Sequence, residues 1–82
     1  MREGVYEDTF RELSKGDVRF LKAMAGIGEV ATLAEIAREL GKPSNYASKY
    51  KARLLKAGII SDTGQNNLRE DIPGFLDFIA QR

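Results

Sequence analysis

The chain has 82 residues, 43% of them hydrophobic and 30% charged, so it is long enough for one small hydrophobic core but not for two. It contains no cysteine and no histidine, which excludes disulfide bonds, thiolate or imidazole metal sites, and Cys/His or Ser/His catalytic pairs. We therefore expect no catalytic residue, no metal and no cofactor in this chain.

The charge is unevenly distributed along the chain. The net charge is only +1, from 13 basic and 12 acidic residues. Residues 41–60 contain no acidic residue, and their basic residues are Lys42, Lys49, Lys51, Arg53 and Lys56. A basic segment in an otherwise slightly acidic chain is typical of a surface that contacts nucleic acid.

The N-terminal segment shows no targeting signal. The first ten residues are acidic and polar, and no stretch reaches the length of a membrane-spanning apolar run. We therefore expect a cytoplasmic protein that does not contact a membrane. Residues 1–13 are interpreted as an N-terminal arm or a short helix, two alternatives that the sequence leaves open, and residues 14–82 as one domain.

A helix is predicted to begin after Ser14. Ser14 and Asp17 have the spacing of a capping box, while Leu13 and Val18 occupy the positions of a hydrophobic staple. The glycine-rich segment 26–28 is predicted to end this helix. Its apolar face is predicted from Val18, Leu21 and Ala25, with Phe20 and Met24 beside them.

Two further helices are predicted in close succession. Thr32 and Glu35 form a second capping box, and the helix that follows is predicted to stop at Gly41. After the break at 41–43, Ser44 is predicted to cap a third helix that runs to about Ala57.

The third helix has two different faces. Projection at 100° per residue places Ala47, Tyr50 and Leu54 on one face, which we predict to be buried. Asn45, Lys49, Ala52 and Lys56 project from the opposite face.

Short strands surround and follow these helices. Residues 29–31 suit a brief extended segment, and residues 59–61 and 68–72 are predicted to pair through a turn at 62–67. After Pro73 and Gly74, the apolar residues from Phe75 to Ile79 predict a short C-terminal helix. The expected fold is mainly α with a small β-wing: a winged helix-turn-helix with a three-helix core, a two-stranded wing and a short C-terminal helix.

The predicted function is DNA binding by the third helix. In a helix-turn-helix the second helix enters the major groove and its N-terminal half reaches the base edges. Asn45 suits adenine and Lys49 suits guanine, although an exposed polar residue of no function is an equally good interpretation of either position. Tyr50 is predicted to pack in the core, whereas Tyr46 lies at the edge of that face and suits either packing or DNA contact. The nucleic-acid-binding candidates are Lys42, Ser44, Asn45, Tyr46, Ser48, Lys49, Arg53, Lys56 and, on the wing, Arg69.

Three segments of the chain resemble a known family. They are residues 13–25, with the motifs Leu-Ser-x-Gly-Asp and Phe-Leu-x-Ala-Met, residues 36–41, and residues 45–60, which end in the run from Tyr50 to Ile60. This pattern resembles the C-terminal winged helix of a group of prokaryotic AAA-type ATPases related to the origin-recognition ATPases. The resemblance implies a terminal module of a larger, ATP-binding parent protein, with an ATPase domain as its partner in the same polypeptide.

Two features limit what this resemblance implies. The chain lacks a Gly-x4-Gly-Lys-Ser/Thr loop, so it is not expected to bind ATP itself. The family tends to place an aromatic or apolar residue where this chain has Glu70, and the predicted wing carries Arg69 against Asp62, Glu70 and Asp71. A net acidic wing follows a phosphate backbone poorly, so the recognition helix would supply most of the binding.

Other functions remain open from the sequence. The same fold can serve as a protein-interaction or assembly module with no DNA contact, or as a free-standing transcription regulator. A homodimer is a possible partner arrangement. An enzyme is the least expected class, because neighbouring carboxylates such as Glu70 and Asp71 point in different directions on a strand or helix. The sequence gives neither the DNA sequence recognised nor the oligomeric state.

Overall fold

The computed structural model describes residues 2–28, 30–65 and 67–82, with the backbone alone for residues 2–5. Met1, Glu29 of the predicted extended segment and Asn66 of the predicted turn lie outside the described residues. The elements in chain order are α1 (Arg2–Arg11), α2 (Lys15–Ile27), β1 (Val30–Thr32), α3 (Leu33–Leu40), α4 (Ser44–Lys56), β2 (Ile60–Asp62), β3 (Asn67–Glu70) and α5 (Phe75–Ala80).

The starts of α2 and α3 confirm both predicted capping boxes. The hydroxyl of Ser14 accepts a hydrogen bond from the backbone N–H of Asp17 at 3.2 Å, and the Asp17 carboxylate accepts one from the N–H of Ser14 at 3.0 Å. Thr32 and Glu35 exchange the same pair of bonds at 3.1 and 2.9 Å. Each box satisfies amide groups that have no partner within the helix.

The turn between α3 and α4 differs in one detail from the prediction. Gly41 ends α3 with a φ of 69°, a left-handed conformation that favours glycine. The N-cap of α4 is Pro43, however, and Ser44 is already the first helical residue. The prediction that Ser44 caps this helix was wrong, because the extended Pro43 directs its own carbonyl to the N–H groups of Tyr46 and Ala47 at 3.1 and 3.3 Å.

The strands form one antiparallel sheet in the order β1-β3-β2. The predicted pairing of β2 with β3 is confirmed, and β1 adds a third strand on the other edge of β3. Arg69 of β3 lies opposite Val30 on one side and Ser61 on the other. The central position of β3 gives hydrogen-bonding partners to both of its edges.

The core is built around α2, which contacts α3, α4 and α5. Phe20, Leu21 and Met24 are fully buried, whereas Val18 and Ala25 are only half-buried. The predicted apolar face of α2 was therefore centred too far towards Val18, because α5 packs on the helix as well. Buried apolar residues outside α2 complete the core, namely Ala31, Ile36, Ala37, Ala47, Leu54, Ile59, Ile60, Leu68, Phe75, Leu76 and Ile79.

Residues 2–11 are helical, which decides between the two alternatives for the N-terminal segment. The ring of Tyr6 lies 5.7 Å from Phe75 and 5.3 Å from Phe78, and its hydroxyl donates to the carbonyl of Pro73. Phe10 meets Phe78 edge to face at 6.1 Å. Aromatic contacts thus join α1 to α5. No helix in the described part of the chain is long and apolar enough to cross a membrane.

Candidate nucleic-acid interface

Helix α4 exposes one face and buries the other. Ala47 and Leu54 are almost completely buried, and Tyr50 is half-buried against the core, as predicted. The candidates that are exposed are Lys42, Ser44, Asn45, Ser48, Lys49, Arg53, Lys56 and Arg69, while Tyr46 is half-buried. The structure therefore leaves most of the candidates on α4 and its entry turn exposed, and it places Arg69 separately on the sheet.

Two lysines flank a pair of tyrosine rings on this surface. The rings of Tyr46 and Tyr50 lie 5.2 Å apart, one helical turn from each other. The Nζ of Lys42 lies 5.5 Å from the Tyr46 ring, and the Nζ of Lys49 lies 5.9 Å from the Tyr50 ring, both within range of a cation–π attraction. The neighbouring Tyr46 hydroxyl raises the pKa of Tyr50 above its ordinary value. Neither lysine has a carboxylate partner among the described residues.

Asn45 lies in the first turn of α4 and uses one of its polar groups locally. Its side-chain oxygen accepts a hydrogen bond from the N–H of Tyr46 at 3.1 Å. Reading an adenine edge needs both the oxygen and the amide group of an asparagine. Asn45 must therefore give up this local bond to make such a contact.

Arg53 has a structural partner that the sequence did not indicate. Its Nε and Nη2 donate to the two carboxylate oxygens of Asp17 at 3.2 and 3.0 Å. Burial raises the pKa of Asp17, but hydrogen bonds from Arg53 and from Ser14 outweigh burial and hold the pKa below its ordinary value. Because 54% of the Arg53 side chain is still exposed, its outer edge stays accessible while two of its donors serve Asp17.

Lys51, on the same helix, also has an acidic partner, Asp62. Its Nζ is 3.3 Å from Oδ2 of Asp62 on β2, and only 17% of its side chain is exposed. Oδ1 of Asp62 accepts a hydrogen bond from the N–H of Gly64 at 2.8 Å. That bond, together with Lys51, lowers the pKa of Asp62. This ion pair joins α4 to the β2–β3 hairpin.

Glu70 has a structural role that explains its place on β3. Its Oε1 accepts a hydrogen bond from the backbone N–H of Leu76, in the first turn of α5, at 3.0 Å. Gly74, the N-cap of α5, has no side chain to cap that turn. The acidic residues Asp62 and Glu70 of the hairpin are thus engaged within the fold, while Arg69 is exposed on the outer face of the sheet.

A mixed-charge cleft lies beside the Asp17–Arg53 pair. It has a volume of about 520 Å³, and its charged walls come from Asp8, Glu12 and Lys56 in addition to the pair itself. Within the described part of the chain, no group of three or more acidic residues is placed to hold a metal ion.

The comparisons with known proteins identify the family but no activity. The model of a family described as a domain of unknown function, DUF8462, matches residues 3–79, so the chain belongs to that family. No curated protein and no solved structure matches it.

Proposed function

We propose that this member of a family without an assigned function is a winged helix-turn-helix module that binds double-stranded DNA through α4. The observation that carries the proposal is the exposed face of α4 and its entry turn. Lys42, Lys49 and Lys56 are exposed there, and residues 41–60 contain no acidic residue. A convex helix with unpaired positive charge suits the major groove of DNA, which admits one α-helix between two phosphate backbones.

The order of the elements supports the winged-helix assignment. A brief strand precedes two helices joined by a short turn, and an antiparallel hairpin follows them. Helix α3 packs across α4, as the first helix of a helix-turn-helix braces the second. The hairpin then lies at the C-terminal end of α4, where a wing would follow the DNA backbone.

The proposal gives the candidates different roles. Lys42, Lys49 and Lys56 contact phosphates, while Ser44 and Ser48 in the N-terminal half of α4 face base edges. Tyr46 supports the side chain of Lys42. These contacts supply affinity that depends on salt, because each neutralised phosphate releases counterions.

The remaining candidates contribute less. Arg53 holds Asp17 and offers only its outer edge to DNA, and Asn45 reads a base only if it leaves the N–H of Tyr46. Arg69 meets one phosphate from the wing. Helix α4 and its entry turn therefore supply most of the binding.

We also propose that the module works within a larger AAA-type ATPase. This step rests on the resemblance of residues 13–25, 36–41 and 45–60 to that group's C-terminal domain. A free-standing regulator is the competing context for the same DNA-binding helix. The reading frame upstream separates the two, because an ATPase domain there supports the first and its absence supports the second.

Fluorescence anisotropy with a mixed-sequence duplex of about two helical turns tests the DNA-binding proposal. Nonspecific dissociation constants on the order of 10⁻⁴ to 10⁻⁶ M are expected at physiological salt. The double variant Lys42→Ala/Lys49→Ala should weaken DNA binding. It should also make the negative slope of log K against log salt less steep by about two. Arg53 is left unchanged in this test, because its removal would also take away the partner of Asp17 and destabilise the fold.

The matched control removes the same charge from another surface. Lys15→Ala/Arg19→Ala changes two exposed residues of α2 and should leave the salt slope nearly unchanged. Equal losses in both double variants would show that only net charge matters and would sink the assignment to α4.

The second candidate function is a protein-interaction module that makes no DNA contact. The observation that favours it is the engagement of Arg53 by Asp17 and of Lys51 by Asp62, which reduces the free positive charge on α4. Absence of binding to any duplex at low salt would favour this function over the first.

A further inference from the structure

A second basic surface lies between the C-terminal part of α1 and the exposed side of α2. It is a groove of about 470 Å³, and its charged lining residues are all basic: Arg11, Lys15, Arg19 and Lys22. We call it the α1–α2 groove. It is separate from α4, which contributes none of its lining residues.

Helix geometry shows why these side chains share one side of α2. At about 100° per residue, Lys15, Arg19 and Lys22 fall within about 60° of one another around the helix axis. Asp17 lies about 160° from Arg19, and it is buried against Arg53 of α4. The one acidic residue in this part of α2 therefore leaves the groove positive, because it faces the opposite side.

The floor of the groove is apolar. Phe10, Leu13 and Val18 line it, and all three side chains are half-buried. Phe10 and Leu13 pack against the edge of the core, and both side chains remain partly accessible. An apolar floor with a charged rim is the usual arrangement of a surface that binds another protein segment.

The positive rim is only weakly neutralised by the chain itself. Arg11 lies 3.6 Å from Asp8, with about three quarters of both side chains exposed, an ion pair that contributes little. Lys22 donates a hydrogen bond to the main-chain oxygen of Arg82 at 3.0 Å. Lys15 and Arg19 make no ion pair within the part of the chain that the structure describes.

We propose that the α1–α2 groove docks an acidic amphipathic helix of a partner protein. The apolar stripe of such a helix would cover Phe10, Leu13 and Val18, and its flanking carboxylates would meet Lys15 and Arg19. Charge complementarity favours an acidic partner and suppresses basic ones. A nucleic acid would match the rim but would leave the apolar floor without a counterpart.

The test uses the 82-residue chain and a synthetic peptide of about four helical turns. The peptide carries leucine at positions i, i+3, i+4 and i+7 and glutamate at most of the others; its counterpart has lysine in place of each glutamate. We expect saturable binding of the acidic peptide in a fluorescence titration and no binding of the basic one. Lys15→Glu/Arg19→Glu should weaken binding of the acidic peptide at least tenfold.

Two further variants make the result specific. Val18→Asp places a charge on the floor and should also weaken binding at least tenfold, with circular dichroism confirming that the chain is folded. Lys42→Glu/Lys49→Glu changes the charge by the same amount on α4 and should bind the peptide as the unchanged chain does.

The inference does not depend on DNA binding by α4, so the two proposals can fail separately. No saturable binding of the acidic peptide, or equal weakening by the α2 and α4 charge variants, overturns it. Loss of duplex binding in Lys15→Glu/Arg19→Glu but not in the α4 variant, together with no peptide binding, would identify the groove as a nucleic-acid surface instead. Loss of duplex binding in the α4 variant alone supports DNA binding by α4 and leaves the proposal for the groove unchanged.

Discussion

Asp17 and Arg53 are joined by two hydrogen bonds although they are 36 residues apart in the sequence. The same carboxylate also closes the capping box with Ser14 at the start of α2. One buried side chain therefore connects the beginning of α2 to the last turn of α4, and it helps to fix the orientation of the helix that we propose to bind DNA.

The first prediction concerns the stability that this pair provides. Arg53→Ala leaves a buried carboxylate without two of its hydrogen-bond donors, so the free energy of unfolding should fall by about 1 to 3 kcal/mol. Urea denaturation measures it. Lys56→Ala, which removes an exposed charge three residues along the same helix, should change it by no more than about 0.5 kcal/mol. Equal losses in the two variants would contradict a structural role for Arg53.

The second prediction concerns the acid sensitivity of the fold. The pKa of Asp17 is lower in the folded chain than its unfolded value of about 3.9, so its charge stabilises the fold above that pH. This contribution is lost as the pH falls through the lower, folded value. Asp17→Asn should therefore be less stable near neutral pH and should lose less stability below about pH 4.

Urea midpoints measured across the acidic range test this prediction. Some dependence should remain, because the pKa of Asp62 is also lowered. Asp71→Asn, which neutralises an exposed carboxylate, is the control. A pH profile for Asp17→Asn that parallels the unchanged chain would refute the assignment.

The third prediction contrasts two glycines of α2. A methyl group at Gly16 would overlap the ring of Tyr50, whereas one at Gly26 would meet no atom within 4 Å. Gly16→Ala should lower the free energy of unfolding by about 1 to 3 kcal/mol. Gly26→Ala should raise it by up to about 1 kcal/mol, because alanine favours a helix.

Thermal unfolding separates these outcomes. If the loss in Gly16→Ala comes from Tyr50, the double variant Gly16→Ala/Tyr50→Ala should show a clear coupling between the two positions. Additive effects would mean that Gly16 is required for another reason.

The fourth prediction concerns the acceptor that Glu70 provides to α5. Glu70→Ala removes the partner of the Leu76 N–H and should cost about 1 kcal/mol, the usual effect of losing a helix cap. Glu70→Gln keeps an oxygen in the same position and should lose much less. The difference between the two unfolding free energies is the measurement, and its absence would exclude a capping role.

The sequence predicted best what depends on neighbouring residues. The boxes Ser14/Asp17 and Thr32/Glu35 bring donor and acceptor together within one turn, so their spacing alone located the starts of α2 and α3. The start of α4 was missed by one residue because Pro43 occupies the cap without a side-chain bond. A proline in that position gives no hydroxyl or carboxylate signal.

Contacts between distant segments were not predictable in this way. Tyr6 and Phe10 left the N-terminal segment undecided because the rings that cover them belong to α5, at the other end of the chain. The partner of Arg53 was equally hidden, because the sequence shows Asp17 only as a capping residue.

The sequence shows only part of the surface charge pattern, for a geometric reason. A count over consecutive residues detected the segment 41–60, where no acidic residue interrupts the basic ones. It missed Lys15, Arg19 and Lys22, because Asp17 stands among them in the sequence but faces the other side of α2. Only the folded helix separates their charges.

The strand order also determines how the chain can fold. The central strand, β3, is the last of the three strands in the sequence. Its pairing with β1 closes a loop that contains both α3 and α4. Closing so long a loop costs conformational entropy before any hydrogen bond repays it, whereas β2 and β3 need only a short turn. The β2–β3 hairpin is therefore the local unit of the sheet, and the pairing of β1 with β3 is its long-range one.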